Sequence, residues 1–411
     1  MLNYDENDGY FDHVPPFVPP HTGRPETGLA SAGIDTRVEY VTMEQEKQRG
    51  YPENSLRESP IGLGYRVPMV VASPWSRGGW VNSQVFDHTS CLQFLETFLG
   101  KKTGRKVAEP NISDWRRVVC GDLTSVFRTY NNEKITVPDF IQKVTFIQSV
   151  HQARFKKLPS DFKSLTKEEV EANNLNPALS AFMPQQEQGI RSSCAIPYQL
   201  HVNGKLSPDK KLFTIDFETR KDVFGDLTAG APFMVYAPGT YKRANAVEEQ
   251  MANWSFAVKA GDRLVNTWPV DAFGSNNYHL RVYGPNGFFR EFIGNAQDPA
   301  VEISCDYERS RINKKRLAGN IELKIVNTSK TPFTLNITDH AYKANNHTLV
   351  VQASGSGREV QSVRLNLKQS FGWYDFSIKI NGNNTFEKRF AGRVETGKPS
   401  YSDPFMGRAV V

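Results

Sequence analysis

The densest set of groups able to do chemistry is Tyr4-Asp5-Glu6-Asn7-Asp8-Gly9-Tyr10-Phe11-Asp12-His13. Carboxylate oxygens and an imidazole this close together are what a divalent cation takes from a protein, and such a donor set suits Ca, Mn, Mg or Fe. A calcium-loop pattern fails, because after Asp5 and Asn7 the next ligand position is Gly9 and the closing position is Pro16, not Glu. On an extended chain neighbouring side chains point opposite ways, so Asp5 and Glu6 reach one ion only if a strand ends there and the chain turns. The same residues also make an exposed acidic turn. In Val14-Pro15-Pro16-Phe17-Val18-Pro19-Pro20, four prolines in seven residues enforce a stiff, extended segment, either a pocket wall or a plain connector.

The elements that must position this cluster lie in the first of three textures. Residues 1–130 mix strand and helix signals. The run Val67-Pro68-Met69-Val70-Val71-Ala72 predicts a strand buried on both faces. Leu92, Leu95, Phe98 and Leu99 recur at helical spacing, with Thr89 or Ser90 as the cap and Gly100 at the stop. Strand, loop and helix in this order predict an α/β layer. Residues 131–195 are mixed and polar, with helical stretches near 137–155 and 167–172, and read as a linker packing on the first unit.

From residue 196 onward, alternating aromatic-rich strands separated by Asn-Gly and Gly-Asn turns predict all-β sandwiches. Residues 274–294 and 372–392 register without a gap at an offset of 98. Gly274, Tyr278, Leu280, Val282, Gly284, Phe288, Phe292 and Gly294 fall on Gly372, Phe376, Ile378, Ile380, Gly382, Phe386, Phe390 and Gly392. Each stretch reads as a hairpin, and Phe213 to Thr219 weakly matches Ile321 to Thr328. The expectation is two tandem sandwiches, residues 196–304 and 305–411.

Composition bounds the function. The 411 residues are 39% apolar and 23% charged, which excludes a mainly disordered chain. The net charge of +6 over that length is too dilute for a nucleic-acid binder. The basic runs Lys101, Lys102, Arg105, Lys106 and Arg309, Arg311, Lys314, Lys315, Arg316 read as solvated turns or helix faces. No apolar run approaches the 18 or so residues of a membrane span. Cys91, Cys120, Cys194 and Cys305 lie far apart, with no metal-finger spacing. No secretion signal is visible at Met1, and the chain begins abruptly, as if a preceding strand were missing.

The segment from Tyr4 to Pro16 resembles a signature of the bacterial phosphocholine-specific phospholipases C, in the superfamily that also holds bacterial acid phosphatases. Four further stretches look like the same family in the same order: Phe86-Asp87-His88-Thr89-Ser90-Cys91-Leu92; Asn111 to Arg117 leading to Cys120-Gly121-Asp122-Leu123-Thr124-Ser125; Gly372-Trp373-Tyr374-Asp375-Phe376; and Phe390 to Gly397. The resemblance implies the C-terminal part of an alkaline-phosphatase-like catalytic domain followed by two small β-domains. In such enzymes a hydroxyl nucleophile attacks phosphorus while a bound metal neutralises the oxygens. It implies metal ligation by Asp5 and Glu6, with Asn7 orienting them and His13 in a supporting or catalytic role. His88, just before a helix, either faces the metal or phosphoryl group or serves the cap. Tyr10 and Phe11, with Phe17, Trp75 and Trp80, are candidates for holding a choline ammonium, or are core.

The resemblance also implies that the nucleophile and the first metal ligands belong to an N-terminal half that these residues do not contain, which leaves a partial gene, a fragment of a longer chain, or a split gene whose product pairs with a complementing N-terminal chain. The implied substrate is a phosphatidylcholine or sphingomyelin-like lipid at a membrane surface, and the implied location is periplasmic or secreted. A monoester phosphatase and a non-catalytic membrane- or partner-binding module are the competing readings.

Overall fold

A computed structural model describes all residues except 10, 11, 13, 136, 138, 184–186 and 409–411. Short strands lead the chain: β1 (Leu2–Asn3), β2 (Gly28–Ala30), β3 (Tyr40–Val41), β4 (Ser59–Pro60), β5 (Met69–Val70) and β6 (Ser192–Ser193). Among them lie α1 (Met43–Gln48), α2 (His88–Thr103), α3 (Asp114–Val119), α4 (Lys143–Ala153) and α5 (Lys167–Leu175). The remainder is β-structure: β7 (Leu200–Leu206), β8 (Leu212–Thr219), β9 (Ala231–Lys242), β10 (Glu248–Val258), β11 (Arg263–Pro269), β12 (Asn277–Tyr283) and β13 (Phe289–Asn295), then β14 (Val301–Arg309), β15 (Leu317–Asn327), β16 (Phe333–Asp339), β17 (His347–Val351), β18 (Val360–Leu365), β19 (Trp373–Ile380), β20 (Glu387–Arg393) and β21 (Ser400–Tyr401). The chain is thus a mixed α/β N-terminal region followed by a sheet-rich C-terminal region.

One nine-stranded sheet, in the order β17-β16-β19-β20-β13-β12-β9-β10-β2, runs through the β-rich part. Two three-stranded sheets, β11-β8-β7 and β14-β15-β18, cover it. Alternation explains the layering: in β8, Phe213, Ile215 and Phe217 are fully buried while Thr214, Asp216 and Glu218 face outward. These side chains meet Phe233 of β9 and Phe256 of β10 in one core, and Phe376, Ile378 and Phe390 centre a second one formed by β14 to β20.

The two halves join across β13 and β20, which pair antiparallel with Glu291 opposite Arg389. Since 389 − 291 is the repeat offset of 98, this central pair are counterparts, and Arg290 opposite Phe390 is mirrored by Phe292 opposite Lys388, so the pairing has a local pseudo-twofold axis like that of an isologous dimer. Buried cations flank the axis and cross it in both directions. Arg290 donates to the Ala391 carbonyl at 2.9 Å and to the Tyr374 hydroxyl at 3.0 Å, and Lys388 donates to the Gly204 carbonyl at 2.6 Å. Burial pulls the Lys388 ammonium down to about 8.

The N-terminal region attaches at the other end of the large sheet, where β2 pairs parallel with β10 and Gly28 lies opposite Ser255. Only glycine fits there: φ is +126°, and a Cβ would collide with the Ser255 carbonyl oxygen. Trp115, Val119 and Ile34 pack with Ala257 of β10 as a small third core.

The predicted strand over residues 67–72 is reduced to the two residues of β5, paired with β1, and Val70 is 58% exposed. It is an edge of a two-stranded ribbon, not a strand covered on both faces. The predicted helix forms, but its cap is Asp87, ahead of the expected Thr89 or Ser90, both of which lie within the first turn. It continues through Gly100 and stops at Gly104, whose left-handed φ of +67° suits the end of a helix.

Candidate functional site

The acidic turn is strapped to the 66–70 segment at two points. Leu2 and Asn3 pair with Val70 and Met69. Asp12 takes a two-pronged hydrogen bond from Arg66, Nε to Oδ2 at 2.8 Å and Nη2 to Oδ1 at 2.5 Å. Between these straps β1 ends at Asn3 and the chain turns, so Asp5 and Glu6 are released from strand alternation; both are exposed, and Asn7 is half-buried.

The N-terminus of α2 comes to this turn. His88 Nε2 lies 3.0 Å from the Tyr4 carbonyl oxygen. A carbonyl only accepts, so Nε2 is the donor in this hydrogen bond. His88 is the first residue of the helix, not a residue preceding it. The positive helix end is already met by Asp87, which accepts from Ser90 N at 3.2 Å and Thr89 Oγ1 at 2.6 Å. The ring therefore stands beside the acidic turn, with the cap role taken by its neighbour.

What holds the helix end in place is Arg116 of α3. Its guanidinium donates to Glu39 Oε1 at 2.7 Å and Oε2 at 3.0 Å, to Asp87 Oδ2 at 2.5 Å and to the Gly62 carbonyl at 2.7 Å. Ser113 adds a hydrogen bond to Glu39 at 2.6 Å. One half-buried cation thus fixes four chain segments and, through Asp87, the placement of His88. Next to it, hydrogen bonds from Arg117 hold the Glu96 carboxyl below its ordinary range. Glu39 carries no periodic or motif signal; Asp87 and Arg116 lie inside the quoted motifs, yet only folding reveals that they touch.

The structure thus places His88 against the backbone of the turn that carries Asp5, Glu6 and Asn7. His13, Tyr10 and Phe11 lie outside the described residues. Among the described residues no three His, Cys, Asp or Glu side chains converge on one point, so this chain's described donors do not by themselves complete a metal coordination sphere. Of the other aromatic candidates, Trp80 has its ring face taken by the Arg128 guanidinium at 3.7 Å, Phe17 packs on the third core, and Trp75 is exposed. No helix among the described residues is long and apolar enough to cross a membrane.

The fold and the strapped turn define a phosphoesterase-type region joined to a β-rich partner. The model of the Phosphoesterase family matches residues 1–100, and that of the bacterial phospholipase C C-terminal domain matches twice, at 192–295 and 299–393. The chain is 37% identical over 410 residues to a non-hemolytic phospholipase C of Pseudomonas aeruginosa, covering 99% of this chain and 52% of that protein. It is 34% identical over 417 residues to a non-hemolytic phospholipase C of Burkholderia pseudomallei, covering 100% and 51%, and 32% identical over 418 residues to a hemolytic phospholipase C of Pseudomonas aeruginosa, covering 99% and 51%. The chain belongs to the bacterial phospholipase C family of phosphoesterases. It spans about half the length of these curated relatives.

Proposed function

We propose that the chain forms one half of a phosphodiester hydrolase of the phospholipase C type, acting at a membrane surface on phosphatidylcholine or sphingomyelin-like lipids and releasing phosphocholine. The observation that carries this reading is the meeting of the acidic turn with the first residue of α2 at the Tyr4–His88 hydrogen bond. Asp5 and Glu6 supply two ligands of a divalent ion, and the portion of the relatives that this chain does not match corresponds to the source of the remaining ligands and the hydroxyl nucleophile. His88, donating from Nε2, keeps the turn in place, Asn7 orients the ligands, Tyr10 and Phe11 serve the choline group, and His13 supports catalysis. The N-terminal region is then the C-terminal part of an alkaline-phosphatase-like domain, exported to the periplasm or exterior.

Support for a contribution from the portion of the relatives not matched here comes from α2. Its residues Leu92, Leu95, Phe98 and Leu99 form an apolar stripe exposed to solvent, and the relatives carry roughly as much chain again as this one matches. A segment equivalent to the uncovered portion of the Pseudomonas relative would bury that stripe and complete an α/β layer.

The test is turnover of a chromogenic phosphocholine ester by this chain alone and after mixing with that segment. The expected result is no turnover alone, turnover in the mixture, and loss of both activity and bound metal on Asp5→Ala or Glu6→Ala. Activity and metal content untouched by both substitutions would remove the site. Faster cleavage of a phosphomonoester than of the choline diester would favour a phosphatase.

A further inference from the structure

The second β-half contains a groove of about 430 Å³ that the catalytic reading does not use. Arg364, Lys368, Arg393 and Lys398 line it, Phe371 forms part of its wall, and no aspartate or glutamate is among the lining residues. Arg393 is the built-in element. Its side chain is 4% exposed, it stands 3.2 Å from Glu395 and 3.3 Å from Ser193 Oγ, and its Nε is buried without a hydrogen-bond partner. A buried guanidinium N–H left unmatched costs free energy unless an acceptor arrives. Arg364 is paired with Glu308 at 2.9 Å, whereas Lys368 and Lys398 are exposed and have no carboxylate partner among the described residues.

The repeat provides an internal control. Arg393 directly follows the gapless 372–392 stretch and, shifted back by 98, falls on Asn295 at the end of β13. The first half builds this strand without a cation there, so the strand itself does not require one.

We infer that this groove binds a phosphate group, with Arg393 as the buried donor and Lys368 and Lys398 as flanking charges. The inference stands independently of the hydrolase reading, because it involves none of the acidic-turn residues. The group comes either from free phosphate or from a phospholipid headgroup, and the experiment separates the two. The full chain is titrated with inorganic phosphate by calorimetry, and in parallel sedimented with vesicles of phosphatidylglycerol mixed with phosphatidylcholine.

Lys368→Gln combined with Lys398→Gln, both at exposed positions, is expected to weaken binding on the order of tenfold, the loss that one charge-assisted hydrogen bond accounts for. Lys314→Gln combined with Lys315→Gln, on a basic loop outside the groove, is expected to leave binding within about twofold of wild type. Binding of both ligands with this pattern supports the groove and admits either source. Vesicle binding alone with this pattern supports it and assigns a lipid headgroup. The inference is overturned if neither ligand binds, if the groove variant binds like wild type, or if the loop variant loses as much as the groove variant.

Discussion

The β-rich region and the N-terminal region dispose of their large apolar side chains in opposite ways. Phe213, Phe217, Phe233, Phe256, Phe292 and Phe390 are all essentially buried, and they stack on one another at centroid distances such as 4.1 Å for Phe217 with Phe256. In the N-terminal region, Leu95 is 48% and Phe98 50% exposed, and on α4 Phe146 is 52% exposed. The β-rich region closes its own cores. The N-terminal region is held instead by charge networks around Arg116 and Arg117 and by its dock onto β10, and it leaves a helix face for something else to cover.

This contrast predicts where substitutions hurt. The largest effect is expected at Phe390, whose ring stacks on Phe376 at 5.4 Å and meets Phe292 at 6.4 Å. Phe390→Ala should cost about 3–5 kcal/mol in denaturant unfolding; a cost below about 1 kcal/mol would mean the β-core is looser than its burial indicates.

Arg116→Ala should cost a comparable amount, about 3–5 kcal/mol, but confined to the N-terminal region, because it strands the buried Glu39 and Asp87 without their cation. Hydrogen exchange should show α2 and α3 losing protection while β7 to β20 keep theirs. Uniform loss throughout would break the distinction between the two regions.

A smaller effect, visible through pH, concerns Glu291 at the pseudo-twofold axis. Burial pushes its carboxyl up, but hydrogen bonds from His279 at 2.8 Å and Arg281 at 2.6 Å outweigh burial and hold it at about 2, against an ordinary 4.5. Its folded value is depressed, so its contribution is full above 4.5 and fades as the pH falls through about 2. The stability gap between wild type and Glu291→Gln should shrink by up to about 3 kcal/mol between neutral pH and the acid limit, measured by urea unfolding. A gap independent of pH would remove this ion cluster from the ledger.

The smallest effect is expected on the exposed stripe. Leu95→Ser with Phe98→Ser should change the stability of this chain by less than about 0.5 kcal/mol, while abolishing association with the complementing segment. A multi-kcal/mol loss in the isolated chain would show that the stripe is covered within this polypeptide.

Much of the β-region was legible from the residues. Tyr278, Leu280 and Val282 alternate inward and Gly284 to Gly287 reverse the chain, so β12 and β13 follow from period and turn chemistry, as do β19 and β20. The sharing of one sheet was not legible, because alternation tells a strand which face is apolar and not which edge finds which partner. In the N-terminal region the helix α2 was legible but its cap was not: Asp87, Thr89 and Ser90 are all good caps, and only the tie from Arg116 selects Asp87.

Of the candidate site, the acidic turn could be found from composition alone, and the resemblance supplied its role. The contact with His88 spans 84 residues and the contact of Arg116 with Glu39 spans 77, separations at which no local pattern carries information. The amino-acid sequence by itself determined the repeat, the period of each strand and the stock of charged groups, since these depend on near neighbours and side-chain type. Tertiary structure alone decided that β13 meets β20, that the acidic turn meets α2, and that Arg393 is buried with an unmatched N–H. Each of those results from packing segments that are distant along the chain, whose meeting no local pattern encodes.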